Sequence, residues 1–157
     1  MGVKPVPEGY NTLTTYLAVD DATSAIEWYE RAFGAKERGR MPGPDGKIAH
    51  AELEIGDSVV MLADPFPQSN VRPPKEIGGT SAAIFMYVEN VDDVFRQAID
   101  AGATVTAEPE DMFWGDRYAS LTDPYGHAWQ IATHIEDLTP EEIRERSQEW
   151  MSAMASS

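Results

Sequence analysis

Hydrophobic and polar residues follow two different periods along the first half of the chain. Strict or near-strict alternation predicts strands, and apolar residues at i, i+3, i+4 and i+7 predict a helix. Gly34 follows the helical stretch, in the position where many helices end with a left-handed residue. The predicted order is strand, helix and three strands, over residues 13–19, 22–33, 35–41, 48–55 and 58–63.

The same order of elements recurs in the second half of the chain. Val88 takes the place of Val19, an offset of 69 residues, and Asn90 with Asp93 forms a helix N-cap pattern. The second set of elements is predicted over residues 82–88, 91–101, 104–107, 117–122 and 128–133. This internal repeat predicts an α+β protein made of two βαβββ modules.

The repeat divides the chain into two modules, a linker and a tail. The modules are assigned to residues 9–64 and 80–134, separated by a linker loop over 65–79 that is rich in Pro, Gly, Ser and Asn. The pattern Thr139-Pro-Glu-Glu142 predicts the start of a C-terminal helix over 138–155. Its apolar stripe predicts packing on the protein's own body or on a dimer partner, with recognition of another protein as the alternative. The stripe consists of Ile143, Trp150, Met151 and Met154.

Several motifs occur in the same order as in a known family. They are residues 19–34, His50-Ala-Glu-Leu53 with Gly56-Asp-Ser58, residues 113–118, and Asp123-Pro-Tyr-Gly-His127. With these motifs the sequence resembles the vicinal oxygen chelate superfamily, which includes glyoxalases, bleomycin-resistance proteins and extradiol dioxygenases, and within it the PhnB-like branch. The resemblance implies a cup-shaped mixed β-sheet with outer helices, a ligand cavity inside the cup, and a homodimer.

The resemblance also indicates which residues would have to bind a metal ion. Enzymes of this superfamily hold a divalent metal with four side chains, usually His, Glu, His and Glu, at equivalent strand positions. Those positions fall on Thr14, Met61, Ala83 and Gln130 here. Thr, Met and Ala are not ligands for such a cation, and one glutamine is not a site. The sequence therefore predicts that the usual metal centre and any cofactor are absent.

His50 and Glu52 form the most reactive pair in the sequence. Strand alternation places them on the same polar face, opposite Ala51 and Leu53. An imidazole beside a carboxylate suits a general base or two metal ligands, and a hydrated strand face is the other interpretation. The alternative function is therefore a metal-dependent lyase, isomerase or dioxygenase with a displaced site around His50, Glu52 and Gln130.

The chain has two further histidines. His127 follows a Pro-Gly turn, and we expect it to face solvent. His134 ends the last predicted strand, and we expect it to be partly exposed beside Glu136.

Aromatic residues support a pocket for an organic molecule. Strand parity places an aromatic and methionine set on the cup side, and the segment before the last turn adds aromatic residues at the rim. The predicted function is metal-independent binding of a small organic molecule, and Glu52 with Asp116 favours a cationic one. The predicted ligand-binding residues are Thr14, Tyr16, His50, Glu52, Met61, Phe85, Tyr87, Trp114, Tyr118 and Gln130.

Composition excludes other classes of protein. The 27 acidic and 12 basic residues give a net charge of −15, which disfavours nucleic acid and anionic membranes as partners. The densest basic stretch is only Lys36, Arg38 and Arg40, interrupted by Glu37. Cysteine is absent, so thiol chemistry and disulfides are excluded. With no bilayer-length apolar run and no signal-peptide pattern, we expect a cytoplasmic protein.

Overall fold

Two βαβββ modules and a C-terminal helix make up the computed structural model, which describes residues 2–157. The first module consists of β1 (Thr15–Ala18), α1 (Ala22–Phe33), β2 (Lys36–Pro42), β3 (Ile48–Ile55) and β4 (Ser58–Ala63). The second consists of β5 (Ala83–Tyr87), α3 (Val91–Asp100), β6 (Thr104–Asp111), β7 (Asp116–Thr122) and β8 (Ala128–His134). A short helix, α2 (Pro74–Ile77), lies in the linker, and α4 (Pro140–Ala155) follows β8. The predicted fold class is confirmed.

Each module forms its own four-stranded mixed sheet. The first sheet has the order β1-β4-β3-β2 and the second has the order β5-β8-β7-β6. The pairs β1–β4 and β5–β8 are parallel, and the other pairs are antiparallel. Among residues 2–157 no strand of one sheet is hydrogen-bonded to the other. The eight strands thus form two separate sheets, whereas the family resemblance implied one cup-shaped sheet.

The predicted helix ends are confirmed. Gly34 ends α1 with a φ of 67°, a left-handed conformation that carries little penalty in glycine. Asn90 caps α3 by accepting a hydrogen bond from the amide of Asp93 at 3.1 Å. Thr139 and Glu142 form a reciprocal capping box at the start of α4. These caps satisfy amides and carbonyls that have no partner within the helices.

The repeat extends to the way each helix is fixed to its sheet. The first amide of α1, Ala22 N, donates to the buried Asp64 at 2.9 Å. The first amide of α3, Val91 N, donates to Thr133 Oγ1 at 2.8 Å. Each acceptor lies 69 residues from its counterpart, as do the two amides. A carboxylate and a hydroxyl therefore perform the same task in the two modules.

The two modules share one hydrophobic core, because their helices and the helix-covered faces of both sheets pack together. On α1, Tyr29 and Phe33 contact Trp129 of β8, with ring centroids 5.6 and 4.6 Å apart. Trp28 Nε1 donates to the carbonyl of Ala101, at the end of α3, at 2.8 Å. The opposite face of each sheet, called the outer face below, points away from the helices. Core residues from the strands include Leu17, Leu53, Leu62, Leu121 and Ile131.

A buried carboxylate joins the modules. Asp123 accepts hydrogen bonds from Tyr29 Oη at 2.5 Å and from Trp129 Nε1 at 2.9 Å. Its other oxygen accepts from the backbone amides of Tyr125 and His127. Burial, with the nearby Asp123 carboxylate, raises the pKa of Tyr29 well above its usual value, so its hydroxyl stays protonated and donates.

The expectation that His127 faces solvent is wrong. Its side chain is buried, and Nε2 donates to the carbonyl of Ala18 at 2.8 Å. The turn that carries His127 is held by Asp123 against the end of β1, so the imidazole lies between the two modules.

The C-terminal helix makes few contacts with the body. No residue of α4 is buried. Trp150 contacts Phe113 at a centroid distance of 5.5 Å, and Arg146 forms a bidentate ion pair with Glu136. Met151, like most of the predicted apolar stripe, is exposed. Among residues 2–157 no helix is long and apolar enough to cross a membrane.

We expect Asp123→Ala to lower the free energy of unfolding by about 3 kcal/mol or more, because four buried donors lose their acceptor. Chemical denaturation followed by circular dichroism measures this change. Asp100→Ala is the matched control, since Asp100 is exposed at the end of α3, and its unfolding curve should stay close to that of the unmodified chain. Equal curves for both variants would contradict the role of Asp123.

Candidate functional site

The outer face of the first sheet carries four of the predicted site residues. Tyr16, Met61 and Glu52 are direct neighbours on adjacent strands. His50 lies one step further along β3, on the same face as Glu52. The alternating residues Ala51 and Leu53 are fully buried on the opposite face, as the strand pattern predicts.

A chain of hydrogen bonds connects these side chains. His50 Nε2 lies 3.0 Å from Glu52 Oε2, and Tyr16 Oη lies 3.2 Å from His50 Nδ1. Because the carboxylate only accepts, His50 Nε2 donates to Glu52, and Nδ1 shares a hydrogen bond with the Tyr16 hydroxyl. Tyr10 donates its hydroxyl to the other oxygen, Glu52 Oε1.

This chain of donors holds Glu52 in its ionised form. The hydrogen bond from Tyr10, followed by that from His50, lowers the pKa of Glu52. The same bond to Glu52 raises the pKa of Tyr10. A cavity of about 340 Å³ opens beside the carboxylate. Its lining consists of Tyr10, Arg38, Gly39, Arg40, Met41, His50 and Glu52.

A continuous row of aromatic rings, called the aromatic arc below, begins on the outer face of the second sheet and continues through the loop between β6 and β7 to α4. Neighbouring ring centroids along it are 5.1, 6.2, 5.8, 5.1 and 5.5 Å apart, within the range of favourable aromatic contacts. Tyr87 is 63% exposed and Phe85 42% exposed. In order, the arc consists of Tyr87, Phe85, Tyr118, Trp114, Phe113 and Trp150.

A buried carboxylate fixes two rings of the aromatic arc. Asp116 is only 2% exposed. One of its oxygens accepts from Tyr87 Oη at 2.9 Å and from Trp114 Nε1 at 3.0 Å. The hydrogen bond between Tyr87 and Asp116 raises the pKa of Tyr87. The side chains of Tyr87 and Trp114 therefore have fixed orientations although their rings reach the surface.

His134 contacts the same carboxylate from the end of β8. Its Nδ1 lies 2.9 Å from the second oxygen of Asp116, and its Nε2 lies 2.8 Å from Asp137. Both partners are acceptors, so the bonds require a doubly protonated imidazolium. The bond to Asp137, and then that to Asp116, raises the pKa of His134. The expected acidic neighbour, Glu136, instead pairs with Arg146.

A cavity of about 690 Å³ forms a groove between the free edges of β1 and β5. Three predicted site residues line it, namely Thr14, Phe85 and Tyr87. Its floor is apolar and includes Phe33 and Trp129.

The predicted site residues thus fall into three places. Tyr16, His50, Glu52 and Met61 lie on the first sheet, and Thr14 lies in the groove. The remainder lie on or beside the aromatic arc, and they are Phe85, Tyr87, Trp114, Tyr118 and Gln130. Sequence reasoning missed Tyr10, which precedes every predicted element, and the pairing of Asp116 with His134.

Within one chain, the residues of the displaced metal site considered above lie on different sheets. Gln130 is paired with Phe85 and Ser120 on the second sheet, whereas His50 and Glu52 lie on the first. Within residues 2–157 no group of three or more His, Cys, Asp or Glu side chains is placed to hold a metal ion.

The expected preference for a cationic ligand rests on two carboxylates whose oxygens are already hydrogen-bonded within the chain. Glu52 accepts from two side chains and Asp116 from three. A cationic group would therefore be attracted by these carboxylates through space and not by a direct bond.

We expect Asp137→Asn to lower the pKa of His134, whereas Glu136→Gln, the same charge change one residue away, should leave it nearly unchanged. Titration of the imidazole signals by NMR measures both. The raised folded pKa means that the His134 bonds stabilise the fold fully below the ordinary value of 6.5 and lose this effect as the pH rises through the folded pKa. The free energy of unfolding of the unmodified chain should fall over that range, and by less in Asp137→Asn. An unchanged titration in Asp137→Asn would contradict the assignment.

Comparisons with known proteins agree with this fold. A protein from Mycobacterium tuberculosis, the uncharacterized protein Rv0887c, is 45% identical over 135 residues, covering 84% of this chain and 79% of that protein. The crystal structure of TioX from Micromonospora sp. ML1 superposes with a TM-score of 0.63 at 28% identity, covering 80% of this chain and 99% of that one. The PhnB protein from Bacillus cereus has a TM-score of 0.61 at 18% identity, covering 78% and 99%; at this identity it shows the fold alone.

A family model matches most of the chain, from residue 10 to residue 131. The match includes the first module, the second module as far as Ile131, every residue of the aromatic arc except Trp150, and the first-sheet cavity. The chain belongs to the Glyoxalase/Bleomycin resistance protein/Dioxygenase superfamily.

Proposed function

We propose that this protein is a cytoplasmic member of the PhnB-like branch that binds an aromatic organic molecule without a metal ion. The aromatic arc is the observation that carries this proposal. Six aromatic side chains, each in contact with the next along the arc, provide stacking surface for a flat ligand. Exposed apolar surface of this kind is typical of binding sites.

Fixed ring orientations favour binding over turnover. Asp116 holds Tyr87 and Trp114 through their polar atoms and leaves their faces open. A ligand that stacks on such rings orders few side chains, so little conformational entropy opposes binding. Asp116 is only 2% exposed and already accepts three hydrogen bonds, so it is not accessible to a ligand as a base.

We propose further that a second copy of the chain covers the outer faces. An acidic protein of charge −15 repels another copy except where its surface is uncharged. Phe85, Tyr87 and Gln130 are neutral on the outer face of one sheet, and Tyr16 and Met61 are neutral on the other. The ionised Glu52 beside Met61 is hydrogen-bonded to Tyr10 and His50. A two-fold axis that pairs the first sheet of one copy with the second sheet of its partner closes the dimer and creates two equal sites. Each site would then be incomplete in one copy.

A second candidate function rests on the hydrogen-bond chain around Glu52. The His50 imidazole, oriented by the ionised Glu52 beside a cavity, suits a general base in a lyase or isomerase. Elemental analysis of protein purified without chelator separates the metal-dependent form of this alternative from the binder. Stoichiometric Zn, Ni, Mn or Fe would contradict the metal-free proposal.

Phe85→Ala should weaken binding of an aromatic ligand about tenfold, because it removes the ring between Tyr87 and Tyr118. A thermal-shift screen of aromatic compounds supplies the ligand, and tryptophan fluorescence measures its affinity. Phe66→Ala is the matched control, since Phe66 lies in the linker beside Lys47, and it should bind as the unmodified chain does. Absence of any stabilising compound, or equal affinity in Phe85→Ala, would contradict the proposal.

Phe85→Glu should convert the dimer to a monomer, because it places a charge on the outer face of the second sheet. Light scattering during size-exclusion chromatography measures the mass. Ile77→Glu, the same kind of change at an exposed residue of α2, should stay dimeric.

Mixing two charged variants tests which faces meet. Tyr16→Glu alters the first sheet, so a mixture with Phe85→Glu restores one of two contacts per dimer and should recover some dimer. A monomeric unmodified chain would refute the dimer, and a mixture without dimer would refute the pairing of unlike faces.

A further inference from the structure

Arg38 occupies an irregular position on the edge strand of the first sheet. In β2, Glu37 pairs with Leu53 and Gly39 pairs with Glu52, so Arg38 is an extra residue without a partner on β3. Such a bulge changes the direction of the side chain that it carries. Here it brings Arg38 to the cavity that also contains Glu52 and His50. Arg38, one of the three basic residues in the densest basic stretch of the sequence, thus lies beside His50 and Glu52.

The guanidinium of Arg38 stacks on an aromatic ring and leaves its N–H groups available. Its central carbon lies 5.0 Å from the centroid of the Tyr10 ring, a cation–π contact. Arg38 forms no hydrogen bond or ion pair with any of residues 2–157. Its neighbour Arg40, in contrast, is paired with Glu37 through two hydrogen bonds. Arg38 therefore has donor capacity that the chain does not use.

The nearest carboxylate does not neutralise Arg38 directly. Glu52 receives Tyr10 on one oxygen and His50 on the other. Arg38 contributes only a through-space attraction that helps to lower the pKa of Glu52. Tyr10 connects the two groups, because its ring supports Arg38 and its hydroxyl binds Glu52. The cavity thus contains a carboxylate with satisfied oxygens and a guanidinium with free donors.

We propose that Arg38 binds the oxyanion group of an organic ligand, a carboxylate or a phosphoryl group, in the first-sheet cavity. Planar guanidinium groups bind such oxyanions through two parallel hydrogen bonds. The organic part of the ligand would lie toward Met41 and His50, which line the same cavity. This inference rests on the proposed function, since it names the polar group of the bound molecule. On a chain of net charge −15, Arg38 supplies a positive charge without an ion-pair partner, which an anionic ligand requires.

The test uses the full-length protein, NMR and four small probes. Benzoate and phenyl phosphate carry the two oxyanion sources, benzyl alcohol is the neutral counterpart, and benzylammonium is the cationic one. Benzoate or phenyl phosphate should shift the Nε–H signal of Arg38 and the methyl signal of Met41, and benzyl alcohol and benzylammonium should not. The variant Arg38→Gln should weaken oxyanion binding at least about tenfold, since charge-assisted bonds are lost. Arg144→Gln, an equal charge change on α4, should leave it unchanged.

The outcomes separate this inference from the proposed function. A stronger shift with benzoate assigns a carboxylate, and a stronger shift with phenyl phosphate assigns a phosphoryl group. Equal oxyanion affinity in Arg38→Gln, or no shift at Arg38 and Met41, overturns the role of Arg38. If the indole signal of Trp114 still responds to an aromatic compound, the proposed function stands although this inference fails. If only Arg38 responds, the aromatic arc is not the ligand site.

Discussion

The buried carboxylate of Asp123 is the constraint on which the arrangement of the molecule depends. A charge away from water needs hydrogen-bond donors, and Asp123 receives one from Tyr29 of the first module and one from Trp129 of the second. These bonds hold the two modules together on the side where their helices lie. Both outer faces are consequently left uncovered in a single chain. The exposure of the aromatic arc and of the Glu52 cavity follows from this contact.

The internal repeat preserves the scaffold and varies the faces. Asp64 and Thr133 are equivalent positions, and each binds the first amide of a helix. On the outer faces the equivalent pairs have diverged, as Met61 corresponds to Gln130. One face has become polar around a carboxylate and the other aromatic. Two related modules thus provide two different surfaces for binding.

Periodicity and turn chemistry were sufficient to predict most of the fold. They located α1, α3 and α4 with their caps and placed His50 and Glu52 opposite the core. They did not predict the burial of His127, which depends on how the modules pack together and on no local pattern. They also placed the end of β6 at residue 107, whereas the strand continues to Asp111.

Some contacts of the candidate site could have been predicted from the sequence, and others could not. The hairpin around the Asp123 turn sets the register that pairs Asp116 with His134, so counting from the turn would have joined these two residues. The position of Arg38 depends on a bulge, and no pattern with a strict period of two predicts where a bulge occurs. Tyr10 reaches Glu52 from a segment without regular structure, to which no periodic signal applies.

The alternation of side chains along the strands separates the residues that form the core from the residues that form the binding surfaces. On β3, β7 and β8 every second side chain packs in the core, and the side chains between them form the outer faces. A substitution at an outer position changes what the surface recognises and leaves the packing on the other side of the same strand intact. The protein can therefore acquire a new ligand by single changes, each tolerated by the fold, without first gaining extra stability.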